Sequence, residues 1–179
     1  MHSWHVIDLK PLDFNKKNLS DSIPTAQSFG VIHFLTPECS CSEHIFKHLL
    51  KRGPINSDGV VETAVIINDN ELNFAKKLKS KGFITNSFSS SSINEKFKNS
   101  IKGVPLLVIY DSNKISRYVG GYVSKSITPF TEINILPFLK ELKEGRTIAS
   151  KPVIGCAVSK EYQQILDPFG IKYKGSKNE

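Results

Sequence analysis

Two of the three cysteines in this 179-residue chain, Cys39 and Cys41, stand one residue apart, and the third, Cys156, lies far along in an apolar run, Ile154-Gly155-Cys156-Ala157-Val158. An odd count rules out a fully paired structural framework within the monomer, so the close pair reads as redox or metal chemistry. Thiolate is the reactive form of cysteine. A free thiol is only a few per cent ionised at neutral pH, whereas one at a helix N-terminus meets the positive end of the peptide dipoles and ionises more readily. A bond between Cys39 and Cys41 requires at least one of them to lie outside the helix, because residues two apart on a helix point to nearly opposite sides. Such a bond is strained, and therefore oxidising or regulatory. The plainer reading, a small buried hydrophobe, stays open for each cysteine and above all for Cys156. The functional reading of Cys156 is a resolving thiol or a third ligand carried back to the pair by the tail. His44 follows Cys41 by three residues and His48 follows by four more, while His33 sits inside an apolar run. Cys39, Cys41, His44 and Cys156 form a soft-ligand set suited to copper or zinc.

The elements that must position these groups are legible from periodicity. Residues 30–35 form a buried strand, ended by Thr36-Pro37-Glu38, and from 41 to 51 the apolar positions Ile45, Phe46, Leu49 and Leu50 recur at helical spacing. Two helix starts are open. Ser40 caps with Glu43 reaching back, or Thr36 caps with Pro37 at the first helical position. Further strands are expected at 60–67, 83–85, 105–110, 115–119 and 152–158, and an N-terminal one at 5–9. Helices are expected at 71–80, 93–100, 132–144 and 160–166, with the serine run 87–92 as a loop. Alternating strands and helices that finish in a hairpin indicate an α/β sheet with helices on its faces.

Taken in order, Val31 to Cys39, then Gly103-Val104-Pro105 running into Leu106 to Tyr110, then Gly120-Gly121 after Arg117-Tyr118-Val119, resemble the thioredoxin-like superfamily. The likeness covers about residues 28–144 and is nearest to bacterial thioredoxin-like proteins with a Pro-x-Cys-x-Cys site. It implies a central mixed sheet flanked by helices, with a helix–strand insertion between Cys39 and Pro105. An N-terminal extension, 1–27, precedes this domain, and a C-terminal tail, 145–179, carries Cys156 and packs on it. The resemblance further implies that Pro105 is cis and, with Val104, shapes a substrate cleft, and that Cys39 attacks a substrate disulfide while Cys41 resolves the intermediate. Where family members carry a second cysteine two residues beyond the first, this chain has Ser42, with Cys41 between.

The leading expectation is thus a thiol–disulfide oxidoreductase with protein thiols or disulfides as partners and no cofactor. Rivals on the same scaffold are a Sco-like copper-binding or chaperone protein, a peroxiredoxin-like peroxidase suggested by Thr36-x-x-Cys39 (Ile32 replaces the upstream proline), and a redox-inactive binding module. Net charge of +7, from 24 basic against 17 acidic residues, raises nucleic acid as a partner, but the lysines are dispersed and only three basic residues are arginines, so none is expected. No apolar run reaches the roughly 20 residues that span a bilayer. The N-terminus does not read as a signal peptide, so the chain is expected to be soluble as written, with the cell envelope favoured if a leader or anchor was removed.

Overall fold

Three strands rich in Val, Ile and Leu are buried along almost their whole length, which requires cover on both faces of the sheet. The computed structural model describes residues 6–7, 23–57, 59–97, 101–158, 160–169 and 173. Its elements run β1 (Val6–Ile7), β2 (Phe29–Leu35), α1 (Ser40–Arg52), β3 (Val61–Ile67), α2 (Phe74–Ser80), β4 (Ile84–Phe88), α3 (Ser90–Lys96), β5 (Gly103–Val104), β6 (Leu106–Asp111), β7 (Ser116–Gly120), α4 (Leu136–Lys143), β8 (Val153–Ile154), β9 (Cys156–Ala157) and α5 (Lys160–Leu166). The main sheet has the order β4-β3-β2-β6-β7. β3 lies parallel to β2 and β4 parallel to β3, while β6 and β7 close the other side antiparallel. A mixed sheet of this order, with the β2–α1 turn at its centre and helices on both faces, is a thioredoxin-like α/β fold. The α2–β4 segment, between α1 and the proline strand, supplies the edge strand beside β3.

Alternation along the strands divides the core. Val31, Leu35, Ala64, Ile66, Leu107 and Ile109 pack under α1, α2 and α4, where Phe46 stacks on Phe74 with ring centroids 3.7 Å apart. Ile32, Phe34, Val65, Leu106 and Val108 face the other side, against Ile93 of α3, Phe97 at its C-terminal cap, and the tail residues Val153, Ala157 and Val158. The tail is thereby part of one of the two apolar layers.

Several local expectations are corrected. Helix α1 uses neither expected cap: Cys39 is the N-cap, with no side-chain cap hydrogen bond, and Glu43 pairs with Lys47 at 2.7 Å instead of reaching back. Thr36 and Pro37 form a tight turn, closed by Cys39 N–H donating to the Thr36 carbonyl at 3.3 Å. The serine run is not a loop. β4 continues to Phe88, Ser89 caps α3 by accepting from Ser92 N–H at 3.1 Å, and the helix runs through the serines. Asn68 fixes this join, donating to Ser90 Oγ at 2.8 Å and accepting from Ser90 N–H at 2.9 Å. Helix α4 begins only at Leu136, because Pro137 fits just the first turn. The tail strand is split at Gly155 into β8, paired with β1, and β9, paired with β5. Of the expected N-terminal strand, Val6–Ile7 is a strand and the remainder of 5–9 lies outside the described residues, as do the last residues of the expected 93–100 helix.

Candidate functional site

Strand β2 delivers the chain to the sheet's carboxyl edge, the Thr36–Pro37 turn redirects it, and α1 starts immediately after Cys39. Cys39 has extended backbone, φ −123° and ψ 117°, so its side chain returns over the first turn of the helix while Cys41 lies within that turn. Opposite stands the junction of β5 and β6, where the Val104–Pro105 peptide bond is cis. In its thiol form Cys39 donates to the Val104 carbonyl, with Sγ 3.7 Å from the oxygen. Across from Val104 in the antiparallel β5–β9 pair is Cys156. One place therefore collects Cys39, Cys41, Cys156, Val104 and the proline after it, from three separate stretches of fold.

Approach of the tail depends on missing side chains. A Cβ at Gly155 would lie 1.9 Å from the Val104 carbonyl oxygen and 2.7 Å from Pro105 Cδ, so only glycine lets the tail backbone pass here. At Gly121 a Cβ would lie 2.0 Å from the Pro152 carbonyl oxygen, and this glycine's N–H donates to the Lys151 carbonyl at 2.9 Å. Val158 N–H donates to the Lys102 carbonyl at 3.0 Å, and Ala157 N–H to the Tyr173 hydroxyl at 3.0 Å, completing the tail's attachment.

The three sulfurs interact, and no disulfide joins them. The Cys39 thiol is held well below its usual range, first by hydrogen bonding from Cys156 and then from Cys41. Burial opposes the shift, and the first-turn amides of Ser42 and Cys41 add to it. This is the charge pattern expected of an anion at the start of a helix. Cys39 is 1 % exposed, whereas Cys41 and Cys156 are half-buried. Cys156 lines a cleft of about 520 Å³ together with Thr36, Glu38, Asn68, Ser90 and Gln163. Ser42 is fully buried, and its Oγ has no hydrogen-bond partner among the described residues.

His44 and His48 face a second cleft, of about 360 Å³, with Lys47, Lys51 and Pro129. Among the described residues no three His, Cys, Asp or Glu side chains are placed to hold a metal ion. His33 is fully buried and paired: Nε2 lies 2.6 Å from Glu62 Oε1 and Nδ1 lies 2.6 Å from the Tyr122 hydroxyl. Arg52 donates to both Glu62 oxygens, at 2.6 and 3.1 Å, and Ile55 N–H donates to Oε2 at 2.7 Å. Burial alone would push the Glu62 carboxyl up. The hydrogen bond and charge of His33, followed by those of Arg52, outweigh it and bring the carboxyl down to about 2. Sequence reasoning missed Glu62, Arg52, Tyr122 and Gly155. A single acid in the otherwise apolar run at 60–67, beside a lone histidine in the neighbouring strand, was the available signal for the first.

The fold is thioredoxin-like. No protein-family model and no curated protein sequence matches the chain. Solved structures do. A hypothetical protein from Sinorhizobium meliloti 1021 superposes with a TM-score of 0.57 at 17% identity over 75% of this chain and 80% of its own. An uncharacterized conserved protein from Geobacillus kaustophilus gives a TM-score of 0.53 at 19% identity, over 75% and 78%. A secreted Mycobacterium tuberculosis disulfide oxidoreductase homologous to E. coli DsbE overlaps less closely, with a TM-score of 0.41 at 13% identity over 67% and 84%. At such identities the likeness concerns the fold. Among the described residues no helix is long and apolar enough to cross a membrane.

Proposed function

We propose that this protein carries out thiol–disulfide exchange with protein thiols or disulfides, using a Cys-x-Cys site at a helix N-terminus with Cys39 as the sulfur that bears the negative charge. One observation carries the reading: Cys39 caps α1 beside cis-Pro105 with two further thiols donating to it, so its anion is favoured in spite of burial. A stabilised thiolate is both the reactive form of a cysteine and the better leaving group from a disulfide. Val104 and Pro105 form the wall opposite Cys39, with the Val104 carbonyl accepting from its thiol. Either neighbouring thiol, Cys41 or Cys156, can supply the second sulfur of the cycle.

The test is exchange with glutathione disulfide followed by mass spectrometry. Cys39→Ser is expected to lower the rate at least about 100-fold, while circular dichroism shows the fold retained. A Cys39→Ser protein that exchanges at the wild-type rate refutes the assignment.

A further inference from the structure

The chain's own tail occupies the backbone edge beside Pro105. β9 pairs with β5 in antiparallel register, Val104 opposite Cys156 and Gly103 opposite Ala157, and Gly155 permits the approach. A partner therefore cannot add a strand to β5 while the tail is docked, and Cys39 itself is 1 % exposed. The thiol that combines contact with Cys39 and access from the 520 Å³ cleft is Cys156. Resting on the exchange chemistry proposed above, we infer that Cys39 and Cys156 form the redox couple of this protein, that the cleft receives a cysteine-bearing segment of a partner protein, and that Cys156 is the sulfur the partner attacks.

In the oxidised protein a Cys39–Cys156 disulfide is present. A partner thiolate enters the cleft and attacks Cys156 Sγ; the partner–Cys156 bond forms, the Cys39–Cys156 bond breaks, and the electron pair leaves on Cys39 as thiolate. The partner's second thiol, on losing its proton, then attacks the partner's first sulfur. This forms the partner's disulfide and releases Cys156, which takes up a proton. Two electrons pass from the partner dithiol to the Cys39–Cys156 couple, and a low-molecular-weight disulfide of the glutathione class regenerates it. Direction follows from the site: attack at the accessible sulfur expels the sulfur whose anion the helix start stabilises. Cys41, within the first helical turn, acts as a hydrogen-bond donor to that anion and is not itself the bonded partner.

Wild-type protein, Cys41→Ser and Cys156→Ser are equilibrated in a glutathione redox buffer, quenched in acid and mapped by mass spectrometry. A Cys39–Cys156 bond is expected in wild type and in Cys41→Ser and is lost in Cys156→Ser. Adding reduced glutathione to oxidised wild type should then give a transient mixed disulfide on Cys156. The wild-type map decides the matter even if a variant fails to fold. A Cys39–Cys41 bond, or glutathione found on Cys39 or Cys41, overturns the inference and leaves the exchange function standing. A Cys39 that neither pairs nor reacts overturns both.

Discussion

Replacing Glu62 by glutamine should destabilise the protein strongly. The Glu62 carboxylate is 1 % exposed and takes four close contacts, two from Arg52, one from His33 and one from Ile55 N–H. The amide of Glu62→Gln turns one acceptor into a donor and leaves the half-buried Arg52 guanidinium without its counter-charge, a defect that costs about 3–5 kcal/mol. The titration of the native group gives a second measure. Because the folded carboxyl lies at about 2 against an ordinary value of 4.5, ionisation of Glu62 contributes roughly 3 kcal/mol at neutral pH. A lowered folded value means the contribution is complete above about pH 4.5 and is lost as pH falls towards about 2. Urea unfolding at pH 7, followed by circular dichroism, should show the loss. The accompanying fall in melting temperature is roughly 6–20 °C for a domain of this size. Repeated between pH 5 and about pH 2.5, the wild type should lose stability more steeply than Glu62→Gln, which lacks this titration. A variant within 1 kcal/mol of wild type, or two parallel pH profiles, refutes the reasoning.

Cys156→Ala removes the largest contributor to the lowered Cys39 ionisation, so the midpoint of thiolate formation, followed by ultraviolet absorbance, should move up towards the ordinary thiol range; an unchanged midpoint would place the stabilisation elsewhere. Gly155→Ala drives a methyl group into the Val104 carbonyl and should destabilise by about 1–3 kcal/mol, with increased hydrogen exchange at Gly103 and Val104 as the check. Zinc or Cu(I) added to the reduced protein and then removed by desalting should leave well under one equivalent bound, by elemental analysis. Retention of a stoichiometric ion would favour the metal-handling reading over exchange.

Which parts of this could be read from the chain follows from how local each signal is. Strands β2, β3 and β6 are nearly continuous apolar runs and α1 carries a clear 3.6-residue period, so these elements, and with them the placing of Cys39 before Pro105, were available from pattern alone. Cap chemistry was not. Ser40 and Glu43 satisfy the sequence rule for a capping box, but the Thr36–Pro37 turn orients the chain so that the helix begins one residue earlier, on Cys39. The serine run misled for a related reason. Serine is poor within helices yet strong at their starts, and here Ser89 and Asn68 together organise the join. Cys156 illustrates the non-local case. Flanked by Gly155 and Ala157 it reads equally as a packed thiol, and only the β5–β9 register, made possible by Gly155, brings it opposite Val104.

Because the tail supplies one of the three thiols, the order of synthesis matters to the chemistry. A ribosome-bound chain that has emerged only through α4 possesses Cys39 and Cys41 but has no Cys156 to form the proposed couple. The surroundings of its helix-start thiol are completed only when residues 152–158 have docked against Gly121 and Val104.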